Sequence, residues 1–156
     1  MADKNLEKLR SLAQLDVDAI GTYDAAMNGV REDSVRTKLA EFRVDHARHV
    51  QDLNAVIQRL GGEPIAMTPD IKGTVLKTMT QVTSYLGTEA ALLAMVGNEE
   101  LTNRSYDAAL AMDWGNDAEI LELLERNRSD ERRHLAWIKH ALRERPWSHR
   151  EADAHP

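Results

Sequence analysis

The sequence predicts an all-α protein, a four-helix bundle with one long crossover connection. Three observations carry that reading. Ala, Leu, Glu and Arg are common, aromatics are 4% of the chain and β-branched runs are few, a composition that favours helices. Four long stretches repeat apolar residues at three- and four-residue spacing, as a helix with one buried face requires. The connections between them run short, long, short, which suits two helical hairpins joined by a crossover. The 156 residues suffice for one domain with a sizeable core. That domain is assigned to 1–145, and the polar stretch 146–156 is expected to be a mobile tail.

In chain order, the first helix is expected from Asn5 to Asn28, where Asn28-Gly29 offers a left-handed cap. The second starts near Asp33-Ser34 and runs to Leu60, stopped by Gly61-Gly62. Pro64 and Pro69 mark the stretch from Gly61 to Ile71 as a loop, and a short extra helix is expected over Lys72 to Leu86 within the crossover. Gly87-Thr88 breaks the chain ahead of a third long helix from Glu89 to Met112. Trp114-Gly115-Asn116 reads as a turn, and a fourth helix follows from Asp117 to Arg143, ended by Pro146.

Several functions are disfavoured. With no Cys there are no disulfides, iron–sulfur clusters or Cys-ligated zinc sites. The net charge of −6, with basic residues in no cluster, argues against nucleic-acid binding. The opening MADKNLEKLR carries no apolar signal segment. The longest apolar run, Ala90 to Val96, is too short to span a membrane. The expectation is a soluble cytoplasmic protein.

One octapeptide occurs twice. Arg43-Val44-Asp45-His46-Ala47-Arg48-His49-Val50 is answered by Arg128-Ser129-Asp130-Glu131-Arg132-Arg133-His134-Leu135. Each copy sets a His three residues after another potential metal ligand, His46 or Glu131, and residues three apart share a helix face. Tyr23-Asp24-Ala25-Ala26-Met27 likewise matches Tyr106-Asp107-Ala108-Ala109-Leu110. The two matches repeat at nearly one offset, 83 residues for the Tyr pair and 85 for the His pair. A duplicated helical hairpin with pseudo-twofold symmetry accounts for both.

The core stripes place polar groups where apolar ones belong. The first helix gives Leu9, Leu12, Asp16, Ala19, Tyr23, Ala26 and Val30. The second gives Val35, Leu39, Phe42, His46, His49, Leu53, Val56 and Leu60. The third gives Leu92, Met95, Glu99, Thr102, Tyr106 and Ala109, and the fourth Ile120, Leu124, Asn127, Glu131, His134, Ile138 and Ala141. A lone buried His is more often a hydrogen-bonded core residue than a ligand. Here, however, three carboxylates and three imidazoles fall at one level of four stripes. Unpaired buried charge costs several kcal/mol, and one or two dications would resolve the conflict. The repeat also selects among neighbours. Asp16 precedes Tyr23 by seven residues, as Glu99 precedes Tyr106, and seven residues is nearly two turns. Asp18 is rotated by about 200° from Asp16 and is expected to face solvent. Glu99 is favoured over Glu100 by the same logic. The candidate metal ligands are therefore Asp16, His46, His49, Glu99, Glu131 and His134.

These residues resemble the ferritin-like superfamily, and bacterioferritin in particular at the motif level. Asp16-Val17-Asp18-Ala19-Ile20-Gly21-Thr22-Tyr23 is similar to that family's first-helix signature, and Asp130-Glu131-Arg132-Arg133-His134 to its Asp-Glu-x-x-His motif. Asp45-His46-Ala47-Arg48-His49 matches with one change. The layout, with Leu60-Gly61-Gly62-Glu63-Pro64 after the second helix, is similar to small bacterial ferritin-like families of unassigned function. The resemblance spans about residues 6–143 and implies a ferritin-like bundle. It also implies a di-metal site with Asp16 and Glu99 as lone carboxylates, Glu131 as a bridge, and His49 and His134 as terminal ligands. Asp45 and Asp130 would accept hydrogen bonds from the imidazoles, and Tyr23 and Tyr106 would bond the carboxylates of the opposite half. Two departures stand out. His46 replaces the family's second bridging Glu, and an imidazole ligates through one nitrogen at a time. Asp16 is one methylene shorter than Glu. Both point away from a symmetric di-iron centre and leave open a mixed pair, a single ion, zinc or manganese.

The expected cofactor is iron, two ions per site, and the expected activity is oxidation of ferrous iron or reaction with O₂ or peroxide, in iron homeostasis or oxidative-stress defence. With no Cys-ligated rubredoxin module in the sequence, electrons would come from ferrous iron or a separate donor protein. A homodimer is expected, because the tail shows no fifth helix of the kind a ferritin shell uses. The alternative is a non-catalytic metal-binding or structural stress-response bundle.

Overall fold

Four long helices form an all-α bundle in the computed structural model, which describes residues 2–67, 87–145 and 147. They are α1 (Ala2–Gly29), α2 (Asp33–Arg59), α3 (Thr88–Leu110) and α4 (Ala118–Glu144). α1 packs on α2 and α3, and α4 packs on α3 and α2, so α1 and α4 lie across the diagonal. Residue pairings fix the directions. Tyr23 meets Glu99 while Tyr106 meets Asp16, so α1 and α3 are antiparallel. Asp45 meets Arg133 while Asp52 meets Arg126, so α2 and α4 are antiparallel too. α2 and α3 must then run the same way. At 1.5 Å per residue the 27-residue α2 is about 40 Å long, and the chain between α2 and α3 has to travel back along it.

That return begins at a well-formed stop. Gly61, at φ +85°, donates to Gln58 O at 3.0 Å and Gly62 donates to Ile57 O at 2.9 Å, the paired bonds of a Schellman cap. A Cβ on Gly62 would lie 2.6 Å from Leu6 Cδ1, so a larger residue there would require the Leu6 side chain to move. Asn54 then holds Ile65 through two bonds, Asn54 Nδ2 to Ile65 O at 3.0 Å and Ile65 N to Asn54 Oδ1 at 2.8 Å. Residue 65 thus lies beside residue 54, already heading back along α2. The extra helix expected over Lys72 to Leu86 lies outside the described residues. So does the expected tail, apart from the buried Trp147.

The helix limits fall within three residues of those expected, with two corrections. Gly29 is the last residue of α1 and has no positive φ, so Asn28-Gly29 forms no left-handed cap. Leu60 is 41% exposed, because it caps α2 beyond the last full turn and leaves the core stripe there. Every other stripe residue is buried. α4 begins as its sequence dictates, with Asp117 accepting from Ile120 N at 3.2 Å. Gly115, at φ +64°, supplies the preceding turn.

The core divides into two apolar ends and a polar middle, with a small third apolar cluster of Val17, Ile20 and Val50. One end holds Leu9, Leu12, Leu53, Val56, Ile120 and Leu124. The other holds Val30, Leu39, Phe42, Leu92, Met95 and Ile138, with Trp147 against it. Between them lie the fully buried Asp16, His46, His49, Glu99, Thr102, Asn127, Glu131 and His134.

Candidate metal centre

All six sequence-derived candidates meet in this middle layer. The ring of His46 is central: its Nδ1 lies 2.6 Å from Asp16 Oδ1 and 3.4 Å from Glu131 Oε1, and its Nε2 lies 3.1 Å from Glu99 Oε1. His49 Nδ1 lies 3.2 Å from Asp16 Oδ1 and 3.3 Å from Glu131 Oε1. His134 Nδ1 lies 3.5 Å from Glu99 Oε1 and 3.7 Å from Glu131 Oε2. Two four-residue groups result, each able to hold a metal ion: Asp16, His46, His49 and Glu131, and His46, Glu99, Glu131 and His134. They share His46 and Glu131.

The surrounding bonds cross between the hairpins. Tyr23 of α1 donates to Glu99 of α3, and Tyr106 of α3 donates to Asp16 of α1 at 2.6 Å. His49 Nε2 of α2 bonds Asp130 of α4 at 2.9 Å, and His134 Nε2 of α4 bonds Asp45 of α2 at 2.8 Å. Each of these aspartates is held by an arginine from the opposite helix, Asp130 by Arg48 and Asp45 by Arg133. A carboxylate behind each imidazole fixes the ring and leaves Nδ1 aimed inward, an arrangement common behind metal-binding histidines. The neighbours rejected on helical phase lie elsewhere. Asp18 is half-buried and accepts from Gln14 at 3.1 Å, and Glu100 pairs with Lys139 at the surface.

Three contributors have no role in the sequence reading. Thr102 Oγ1 lies within bonding reach of Glu99 Oε2 at 3.3 Å, Glu131 Oε2 at 3.0 Å and Glu99 O at 3.0 Å. Asn127 Nδ2 donates to Tyr106 Oη at 3.2 Å. Asn103 Nδ2 donates to Glu99 O at 2.7 Å and Glu131 O at 3.1 Å, tying α3 to α4. Thr102 and Asn127 stand in the apolar stripes, and that was their available signal. Asn103 is off the stripe and had none.

The layer is strongly polarised. Burial opposes ionisation of Asp16, but the charge of His49 and the bonds from His46 and His49 hold its carboxyl well below the usual range. Burial likewise opposes ionisation of Glu99, and the facing imidazoles of His134 and His46 outweigh it. Burial also opposes charging the imidazoles. The Asp16 charge and the bond to Asp130 nevertheless push His49 up to about 10, and the bond to Asp45 and the facing carboxylates of Glu131 and Glu99 push His134 up to about 9. His46 is raised well above its ordinary value by Glu131 and by its bonds to Asp16 and Glu99, against the effect of burial. Glu131 is the exception among the acids. Burial and the charge of Glu99 raise it despite the charge of His46. Both tyrosines are raised by burial and the nearby carboxylates, and so remain phenol donors.

This field calls for positive charge at the ring nitrogens, which a metal ion supplies in place of protons. Two of the four unmatched buried side-chain atoms among the described residues agree. Glu131 Oε1 and His134 Nδ1 are buried without a hydrogen-bond partner. Such orphans are uncommon and costly in native proteins, and both belong to the two four-residue groups. The mix of imidazole nitrogens and carboxylate oxygens suits first-row dications.

Among the described residues, no helix is long and apolar enough to cross a membrane. The chain matches no curated protein. Residues 4–112 match the model of a family described as a domain of unknown function, DUF2383. The match takes in α1, α2 and α3, with Asp16, His46, His49 and Glu99, while Glu131 and His134 lie beyond it on α4. It covers more than half of the chain, and the protein belongs to the DUF2383 family.

Proposed function

We propose that this protein is a ferritin-like metalloprotein that binds ferrous iron in the buried layer and oxidises it with O₂ or peroxide, in iron homeostasis or oxidative-stress defence. The observation that carries the reading is the pair of overlapping four-residue groups, whose orphaned Glu131 Oε1 and His134 Nδ1 need a partner. The four-helix bundle with a long crossover, with buried mid-level acids on α1, α3 and α4 and two imidazoles on α2, supports the ferritin-like assignment.

Ferrous iron is the substrate here. Two ferrous ions give up one electron each, and O₂ takes both electrons with two protons to leave as hydrogen peroxide. With peroxide as oxidant, the same two electrons and two protons leave two waters. The residues contribute in three ways. Asp16, Glu99 and Glu131 supply negative charge that favours the ferric product. Asp45 and Asp130 hold His134 and His49 in position. The apolar ends of the core keep bulk water from the layer. With no Cys in the sequence to ligate a second iron centre, electrons come from ferrous iron itself or from a separate donor protein.

The test is anaerobic titration with ferrous iron followed by air, read by ferric absorbance and O₂ consumption. The expected result is saturable oxidation faster than in buffer and slowed by Glu131→Gln. Oxidation no faster than in buffer, with metal still bound, would favour the second reading: a bundle that holds metal without turnover. One observation favours that alternative, the complete burial of all six ligand-type residues.

A further inference from the structure

His46 is the residue that most separates the two hairpins, since the matching position in the repeat is Glu131. Its place in the structure is also singular. The ring is fully buried, and its two nitrogens face different acids: Nδ1 points to Asp16 at 2.6 Å, Nε2 to Glu99 at 3.1 Å. His49 and His134 instead spend Nε2 on an outer aspartate and have only Nδ1 facing inward. Glu131 divides itself in the same sense as His46. Its Oε1 lies toward His49 Nδ1, and its Oε2 toward His134 Nδ1 and Thr102.

We infer that His46 joins two metal ions through its ring, giving Nδ1 to an ion held by Asp16, His49 and Glu131 and Nε2 to an ion held by Glu99, His134 and Glu131. Each ion then has two imidazole nitrogens and two carboxylates, the four-ligand count of a tetrahedral site. A neutral imidazole carries one N–H and ligates one ion. Bridging therefore displaces that proton to solvent, and the ring spans the two dications as imidazolate. The inference rests on the proposed metal-binding role and specifies its geometry. Two metal–nitrogen bonds of about 2.0–2.1 Å, set on opposite sides of a five-membered ring, hold the ions further apart than the about 3.5–4 Å usual for two-metal sites. A separation of that kind suits a redox-silent pair such as two zinc ions as well as it suits iron.

The test uses the wild-type protein and two probes. The first is zinc, located by anomalous scattering in crystals. The expected result is two ions per chain on either side of His46, each within about 2.0–2.1 Å of a ring nitrogen and more than about 4 Å apart. The second is cupric ion, read by electron paramagnetic resonance in solution. Two copper ions joined through the ring should couple their spins, and the ordinary isolated-copper signal should be lost. In His46→Gln, which keeps Glu131, the isolated signals should return. Two ions closer than about 4 Å and bridged by Glu131 alone, or coupling that survives in His46→Gln, would overturn the bridge and leave the metal centre standing. A single ion, with the other nitrogen of His46 still against a carboxylate, would overturn it as well. If neither metal binds, the inference falls together with the metal-binding reading beneath it.

Discussion

The α1–α2 hairpin and the α3–α4 hairpin repeat one pattern, and the differences that bear on the candidate site fall in the buried layer. The supports are duplicated. Tyr23 and Tyr106 reach across to Glu99 and Asp16, and His49 and His134 reach across to Asp130 and Asp45. Even an outer ion pair repeats, Arg43 with Asp24 and Arg128 with Asp107. At the matched inner positions the residues diverge. Asp16, Ala19, Phe42 and His46 in the first hairpin stand where the second has Glu99, Thr102, Asn127 and Glu131. Phe42 stacks on His134 at 4.2 Å, whereas Asn127 bonds Tyr106. A shared scaffold therefore holds two chemically unequal halves. The unequal residues at its centre, His46 and Glu131, are the two that both ligand groups share.

The sharpest way to break this picture is to remove a shared residue and compare it with unshared ones. Glu131→Gln should abolish binding of both ions, while His49→Gln and His134→Gln should each leave one. Isothermal titration with zinc would read the stoichiometry. Loss of only one ion in Glu131→Gln would show that the halves are independent.

The outer aspartates probe the duplicated supports. Asp130→Asn should weaken the ion beside His49, and Asp45→Asn the ion beside His134, each by about 10–100-fold, the usual cost of losing such a partner. Equal losses at both ions from either change would contradict the crosswise assignment.

Acidity separates proton from metal as the source of positive charge. The imidazoles of His49 and His134 are raised to about 10 and about 9 in the folded protein, against about 6.5 when unfolded. A raised pKa stabilises fully below the unfolded value and is lost as pH climbs through the folded one. The thermal midpoint of metal-free protein should therefore fall between pH 7 and 9. The gain in midpoint from added zinc should rise over the same interval, as protons cease to compete. Parallel curves with and without zinc would mean that the ion does not bind at the imidazoles. The smallest effect is expected at Asp18. Asp18→Asn should change stability by at most about 0.5 kcal/mol and leave zinc binding intact, while Asp16→Asn should weaken it.

Much of this was legible because burial and periodicity coincide. Asp16 and Asp18 differ by two residues, so helical phase alone separates a fully buried acid from a half-buried one. The crosswise bonds follow from the repeat, since a pseudo-twofold relation sends each hairpin's Tyr and Asp to the other's candidate ligands. The double-faced setting of His46 was not legible. Sequence places a residue on a stripe, but a ring's rotation is decided by the acids that meet it from α1, α3 and α4. Asn103 was hidden for a related reason. It lies beside the stripe and acts on carbonyl oxygens of Glu99 and Glu131, which sequence does not distinguish from any others. Leu60 and Gly29 show the limit at helix ends, where the cap geometry overrides the period.

Whether the two unequal halves together hold metal is decided by measuring metal content and thermal midpoint on the same wild-type sample. The protein is stripped with chelator, reloaded with ferrous iron without air, or with zinc or manganese, and freed of excess ion. Retention of up to two ions per chain is expected, with a midpoint that rises with free metal concentration, as binding to the folded state alone requires. Retention near zero, with no rise in midpoint for any first-row dication, would contradict it.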